Sequence, residues 1–194
     1  MKVVFNHFDA NTAIPVNEYI ENRKMAKYYN REAQAALVSV GMLLEKKRPD
    51  PLTPIFYAVG IIEHEEFDIH KIAVHSIGET GKFSSKTFIE KGMMQISPLT
   101  QFKVLYNMTL CFISIEYGLQ GDNAAIYASA AGLLNNALYC NANNNIIIGS
   151  GKIYADGSVE SGFALISKTE VSEIPTFDSD TEAIDMFKYL NKKQ

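Results

Sequence analysis

The sequence predicts an α/β domain: a layered, mostly parallel sheet with an antiparallel edge and helices on its faces. Three observations predict it. Segments of helical apolar spacing alternate with short strand-like runs, the pattern of a parallel sheet wound with helices. Two strand-like runs follow each other directly near the end, which adds an antiparallel edge. The chain has 194 residues and 47% hydrophobic content, enough for one well-buried domain, here drawn over residues 1–194.

The elements follow in order. Lys2 to Phe5 is a short apolar run and a first strand. Tyr28 to Lys46 reads as a helix, because Ala33, Ala36, Leu37, Val40, Leu43 and Leu44 recur at i, i+3 and i+4 and give one buried stripe. Lys46, Lys47 and Arg48 suit the negative end of its dipole, and Pro49 and Pro51 stop it. Ile55 to Ile62 is a continuous apolar run behind Pro54, hence a strand. Lys71 to Ile77 alternates up to Gly78 and also reads as a strand. Ser84 to Lys91 is a short helix capped by Ser84 or Ser85. A long helical stretch carries Phe102, Leu105, Tyr106, Leu110, Ile113 and Tyr117, with Gly118 in the place of a C-cap glycine. Asn123 to Tyr127 is a buried strand, and Gly132 to Cys140 is a helix. Asn141 to Asn145 is a polar linker. Ile146 to Ile148 is a strand cut by Gly149-Ser150-Gly151. Ser161 to Ser167 is a strand preceded by the Asp156-Gly157 turn. Thr181 to Lys192 is a terminal helix, within a last segment taken as 176–194, and Asp178, Ser179, Asp180 and Thr181 are its candidate caps.

Composition narrows the function. A formal net charge of −4 with 21% charged residues makes a poor nucleic-acid binder by bulk electrostatics. Cys111 and Cys140 form no CxxC pair and share no zinc spacing with histidine, so no metal or cofactor is expected. Both lie in apolar helical patterns and read as small buried hydrophobes in a reducing compartment. The N-terminus shows no sustained apolar h-region, and no apolar run nears the roughly 20 residues that span a bilayer. The expected location is cytoplasmic, with no membrane contact.

The most specific stretch runs from Ser114 to Leu138. It reads as a helix end, a glycine turn, a short strand, a sharp turn and a second helix. Enzymes that form an acyl-thioester on themselves put a cysteine on such an elbow, where the helix N-terminus lowers the thiol pKa and supplies donors to an oxyanion. Here the elbow is Ala128-Ser129-Ala130-Ala131-Gly132.

From these segments the chain resembles the N-terminal half of a β-ketoacyl synthase, of the thiolase-like superfamily, over residues 28–168. Asn30 to Leu44 resembles the early helix, and His70 to Gly81 a strand with its glycine-rich loop. Ser97-Pro98, Asn107-Met108 and Gly118-Leu119-Gln120-Gly121 match the family's Ser-Pro, Asn-Met and Gly-Leu-x-Gly in order. Asn123 to Leu138 is similar to the nucleophile strand, elbow and helix, and Asp156 to Lys168 to a later loop and strand. The resemblance implies a thiolase-like half with a five-stranded sheet. The family cysteine, carried forward from Gly121 or back from Gly132, falls on Ala130. The family's C-terminal half, with two catalytic histidines and a lysine, has no counterpart in these residues. His7, His64, His70 and His75 match none of its positions.

The resemblance therefore implies a non-catalytic subunit in the manner of a chain-length factor. Such a chain pairs with a complete ketosynthase, or with its own copy, and shapes an acyl tunnel for fatty-acid, polyene or polyketide-type elongation. Pairing would use the strand Asn123 to Tyr127, with Ile126, and the helix from Phe102 to Tyr117. Phe102, Tyr106, Met108, Phe112 and Leu133 are tunnel candidates. An acyl carrier protein is a further partner. The alternatives are a module that binds an acyl group or carrier protein, and a self-sufficient acyltransferase or hydrolase using Ser129 or Cys111. Against the last, helical geometry turns Ser129 about 100° from the nucleophile position. His70 and His75 read as surface and half-buried strand residues. Glu63, Glu65, Glu66 and Asp68 with His64 read as a solvated acidic loop, and Gly149-Ser150-Gly151 as a tight turn rather than a phosphate cradle.

Overall fold

A computed structural model describes residues 1–60, 69–97, 105–141 and 145–193. The chain divides into two compact units, Met1–His64 with Tyr106–Gln194, and Glu65–Leu105.

The larger unit holds a five-stranded sheet: β1 (Lys2–Phe8), β2 (Ile55–Val59), β3 (Asn123–Ile126), β4 (Ile146–Ile153) and β5 (Val159–Ile166). Their spatial order is β1-β5-β4-β2-β3. β2 runs parallel to β3 and β4, while β5 runs antiparallel to β4 and β1. The sheet is thus half parallel, which corrects the mostly parallel expectation. Two joins cause it: β1 pairs with β5 from the far end of the chain, and β4 and β5 are joined by a tight turn at Asp156-Gly157, where Tyr154 N–H reaches Ser158 O and Gly157 sits at φ +84°. A hairpin of that length permits only antiparallel pairing, and β1 then adds to the outside of β5.

Helices cover both faces. α1 (Arg31–Leu43) is capped by the Asn30 side chain, which accepts from Ala33 N–H at 2.8 Å. The predicted start at Tyr28 fails because 23–28 form a separate 3₁₀ segment before that cap. α1 is also buried almost all round, Ala35, Val38 and Ser39 as well as the predicted stripe. On the same face lies α3 (Met108–Tyr117), which ends at Gly118 with φ +67° as its sequence position predicts. Under these two helices sit Leu37, Val40, Ile55, Tyr57, Ile113, Ile147 and Phe163. The opposite face carries α4 (Ala130–Tyr139) and α6 (Ala183–Asn191), over Phe56, Ala58, Ile148, Ala164 and Ile166. The alternation Ile55/Tyr57 against Phe56/Ala58 assigns β2 side chains to the two faces in turn. α5 (Lys168–Glu173) begins with a capping box between Ser167 and Glu170.

Two strand predictions change. β4 runs through Gly149-Ser150-Gly151 instead of stopping there. A Cβ on Gly149 would fall 2.1 Å from the Phe163 ring, and one on Gly151 2.2 Å from the Tyr57 hydroxyl. These glycines make room for aromatic rings from the neighbouring strands; they do not turn the chain. In the smaller unit, the segment read as a strand at Lys71 to Ile77 is helical, α2 (Ile69–His75). Its end is tied by Ser76 Oγ donating to Ile72 O at 2.6 Å. Over so short a run, period 2 and period 3.6 are poorly separated. In that unit Ser84 caps a turn at Ser85–Thr87 that widens over Phe88–Gly92.

Candidate functional site

The parallel strands β3, β2 and β4 end together. From β3 the chain enters α4 on one face, while the helices flanking β2 in the larger unit, α1 and α3, lie on the other. Carboxyl ends of parallel strands at such a divergence are where open α/β sheets bind ligands. The elbow predicted from the sequence lies there, between β3 and α4.

Each elbow residue has a defined job. Ser129 takes an extended conformation (φ −68°, ψ 171°) and is the N-cap of α4, its Oγ accepting from Gly132 N–H at 3.3 Å. Ala130 is the first helical residue and is 0% exposed, packed with Leu133, Ala137 and Phe56. Its N–H donates to Thr181 O at 2.8 Å. Ser129 also forms an isolated antiparallel bridge with Glu182. The segment before α6 therefore lies along the elbow and takes up an N–H that a helix N-terminus would otherwise offer to an anion.

Glu182 is fixed in turn by β4. Both of its carboxylate oxygens lie 3.0 Å from Lys152 Nζ, and the Lys152 side chain is only 11% exposed. A second polar group sits beyond it. Lys188 Nζ is 2.6 Å from Glu160 Oε2 and donates to Tyr154 OH at 3.1 Å, the Tyr154 hydroxyl donates to Glu160, and His7 Nδ1 lies 3.4 Å from Glu160 Oε1. Burial alone would depress the Lys188 ammonium, but its bonds to Glu160 and Tyr154 hold it well above the usual lysine value. Burial and the Glu160 hydrogen bond push Tyr154 up. On the other face Tyr57 OH donates to Glu32 Oε1 at 2.5 Å, and burial together with the Glu32 charge raises Tyr57 well above a normal phenol. These groups are satisfied by one another and hold strands and helices together.

The predicted site residues divide into groups. Ala130, Leu133 and Ile126 meet on the α4 face. Phe112 and Met108 lie across the sheet with the α1 cluster, Phe112 against Tyr29 at 4.7 Å between ring centroids. Tyr106, Asn123 and Tyr127 are exposed. Phe102 and the acidic loop with His64 lie outside the described residues. Lys152 and Glu182 are not among the sequence candidates, and Thr181 is one only as a helix cap. Lys152 carries no motif, and Thr181 looked like a helix cap, so only the fold brings them to the elbow. Among the described residues no cluster of three or more His, Cys, Asp or Glu side chains is placed to hold a metal, and no helix is long and apolar enough to cross a membrane.

No family model matches the sequence, and no curated protein matches it. Among solved structures, the chain is similar to one described as AntDE:AntF, a type II PKS acyl-carrier protein in complex with its ketosynthase bound to the hexaketide. The identity is 12% and the TM-score 0.48, over 86% of this chain and 52% of that chain. The chain thus spans about half the length of that neighbour.

Proposed function

We propose that this chain is a non-catalytic, ketosynthase-like subunit that pairs with a complete β-ketoacyl synthase and shapes the acyl tunnel in fatty-acid, polyene or polyketide-type elongation. The observation that carries this reading is the elbow. Strand, sharp turn and capped helix are present, yet the nucleophile position holds the fully buried methyl of Ala130, and its N–H is bonded to Thr181 O. A methyl attacks no thioester, and an occupied donor stabilises no oxyanion. Ser129 is engaged as the α4 cap, which weighs against its service as a nucleophile.

Two further features support pairing. β3 ends the sheet order, so among the described strands its outer edge has no partner. Free edges are places where another chain adds on. α3 is apolar nearly all round, as a helix enclosed on every side would be. Yet Ile115 is 64% exposed, and Met108 and Cys111 are half-buried at the i, i+3, i+7 positions of the same stripe. A partner strand on β3 with a partner surface on this stripe covers both. The acyl carrier protein is, in this reading, the partner of the assembled pair.

Co-expression with a complete ketosynthase from the same source tests the proposal. The expected result is co-purification, with the product length distribution changing when this subunit is left out. Turnover of acyl thioesters by this chain alone, abolished in Ser129→Ala, would overturn it.

A further inference from the structure

We propose that residues 178–182 form a strap that closes the N-terminus of α4 and is held shut by the Lys152–Glu182 ion pair. Closure consists of few contacts. Thr181 O accepts from Ala130 N–H at 2.8 Å, Glu182 bridges Ser129, and Lys152 Nζ holds both Glu182 oxygens at 3.0 Å. On the N-terminal side the connection from α5 is loosely held. Pro175, Thr176, Asp178, Ser179 and Asp180 are exposed, Phe177 sits edge-on to Tyr189 at 5.8 Å, and Asp178 O accepts from Thr181 N–H at 3.0 Å. On the C-terminal side Ala183 and Ile184 are buried and fix α6. A short polar segment, loosely held on its N-terminal side and tied to the elbow by few contacts, is the kind of element that opens locally while the core stays folded.

The ion pair is the latch because of where it sits. Lys152 is on β4, part of the rigid sheet, and its side chain is largely withdrawn from water. Glu182 is the last strap residue before α6. Removing the lysine leaves a carboxylate facing a protein wall without its counter-charge, and water becomes its better environment. The Thr181 carbonyl follows, because it belongs to the peptide bond that joins Thr181 to Glu182. Opening frees the Ala130 N–H. This inference concerns the chain alone and holds whether or not it pairs with a ketosynthase.

Residue-resolved hydrogen exchange on the full chain tests it. The Ala130 amide is expected to be protected in the native protein and to exchange at least tenfold faster in K152M. Amides of the β4–β5 ladder, such as Ile148 and Phe163, keep their protection. E182Q, which leaves the lysine in place, is the second variant should K152M fail to fold. Three results would overturn the proposal: an Ala130 amide exchanging at free-peptide rates in the native chain, Ala130 protection unchanged in both latch variants, or a uniform loss of protection that includes the β4–β5 ladder.

Discussion

Ile115→Lys separates pairing from folding. In the chain alone Ile115 is 64% exposed on α3, in the last turn of the helix. A surface substitution of this kind changes stability by roughly 0.5 kcal/mol or less, and a cation near the helix C-terminus suits the dipole. In the proposed pair this side chain is covered. Full burial of an isoleucine contributes roughly 1.5–3 kcal/mol, so the part still open here contributes about 1–2 kcal/mol. Withdrawing an ammonium from water raises the loss to about 2 kcal/mol or more. At 1.4 kcal/mol per tenfold, affinity falls roughly 30-fold. Met42→Lys is the control. Met42 is exposed on α1 beside β1, at the opposite edge of the sheet from β3, with Asn6 Nδ2 3.5 Å from its sulfur. Sedimentation equilibrium with a complete ketosynthase should show weakened association for I115K and unchanged association for M42K, at equal urea midpoints. Native affinity in I115K, or equal damage from M42K, refutes the reasoning.

Three further outcomes follow from the packing. Ser129→Ala removes the α4 cap and should cost about 1 kcal/mol in urea unfolding, with no other loss. Gly149→Ala puts a methyl 2.1 Å from the Phe163 ring; a rigid ring between two strands cannot give way cheaply, and a loss of about 1–3 kcal/mol or more is expected, so an unchanged melting temperature would contradict the β4–β5 packing. At alkaline pH the buried phenols act through linkage. Burial, and then the Glu116 charge, push Tyr29 up to about 12, and burial also raises Tyr57 and Tyr117. An unfolded tyrosine ionises near 10. Their contribution is therefore complete below about pH 10 and is lost as pH rises through the folded values. Urea midpoints should fall steadily above pH 10, less steeply in Tyr29→Phe, and an equally steep fall in that variant would contradict the Tyr29 assignment.

What the sequence disclosed was whatever depends on neighbours along the chain. Gly118 ending α3, the Asp156-Gly157 turn and the elbow after β3 are all local signals, and each is where the residues place it, whereas the Asn30 cap of α1, just as local, falls inside the span that reads as helix. The capping box Ser167-Lys168-Thr169-Glu170 was equally local and went unread. Other features depend on distant residues. Gly149 and Gly151 look like a break until Phe163 and Tyr57 are seen filling the space beside them. The balance of parallel and antiparallel ladders depends on β1 joining β5, across more than 150 residues. The elbow was legible as a shape, but its closure was not, because Thr181, Glu182 and Lys152 carry no motif and meet it only through the sheet. The tunnel candidates are the bulky residues near the interface that the resemblance implies, and the sheet separates Phe112 from Leu133.

The most direct test of the central claim is the native mass of this chain mixed with a complete ketosynthase from the same source. A stable one-to-one complex is expected, in which all ketosynthase activity depends on the partner's own nucleophile. A stable 21.6 kDa monomer that leaves the ketosynthase unbound would contradict it.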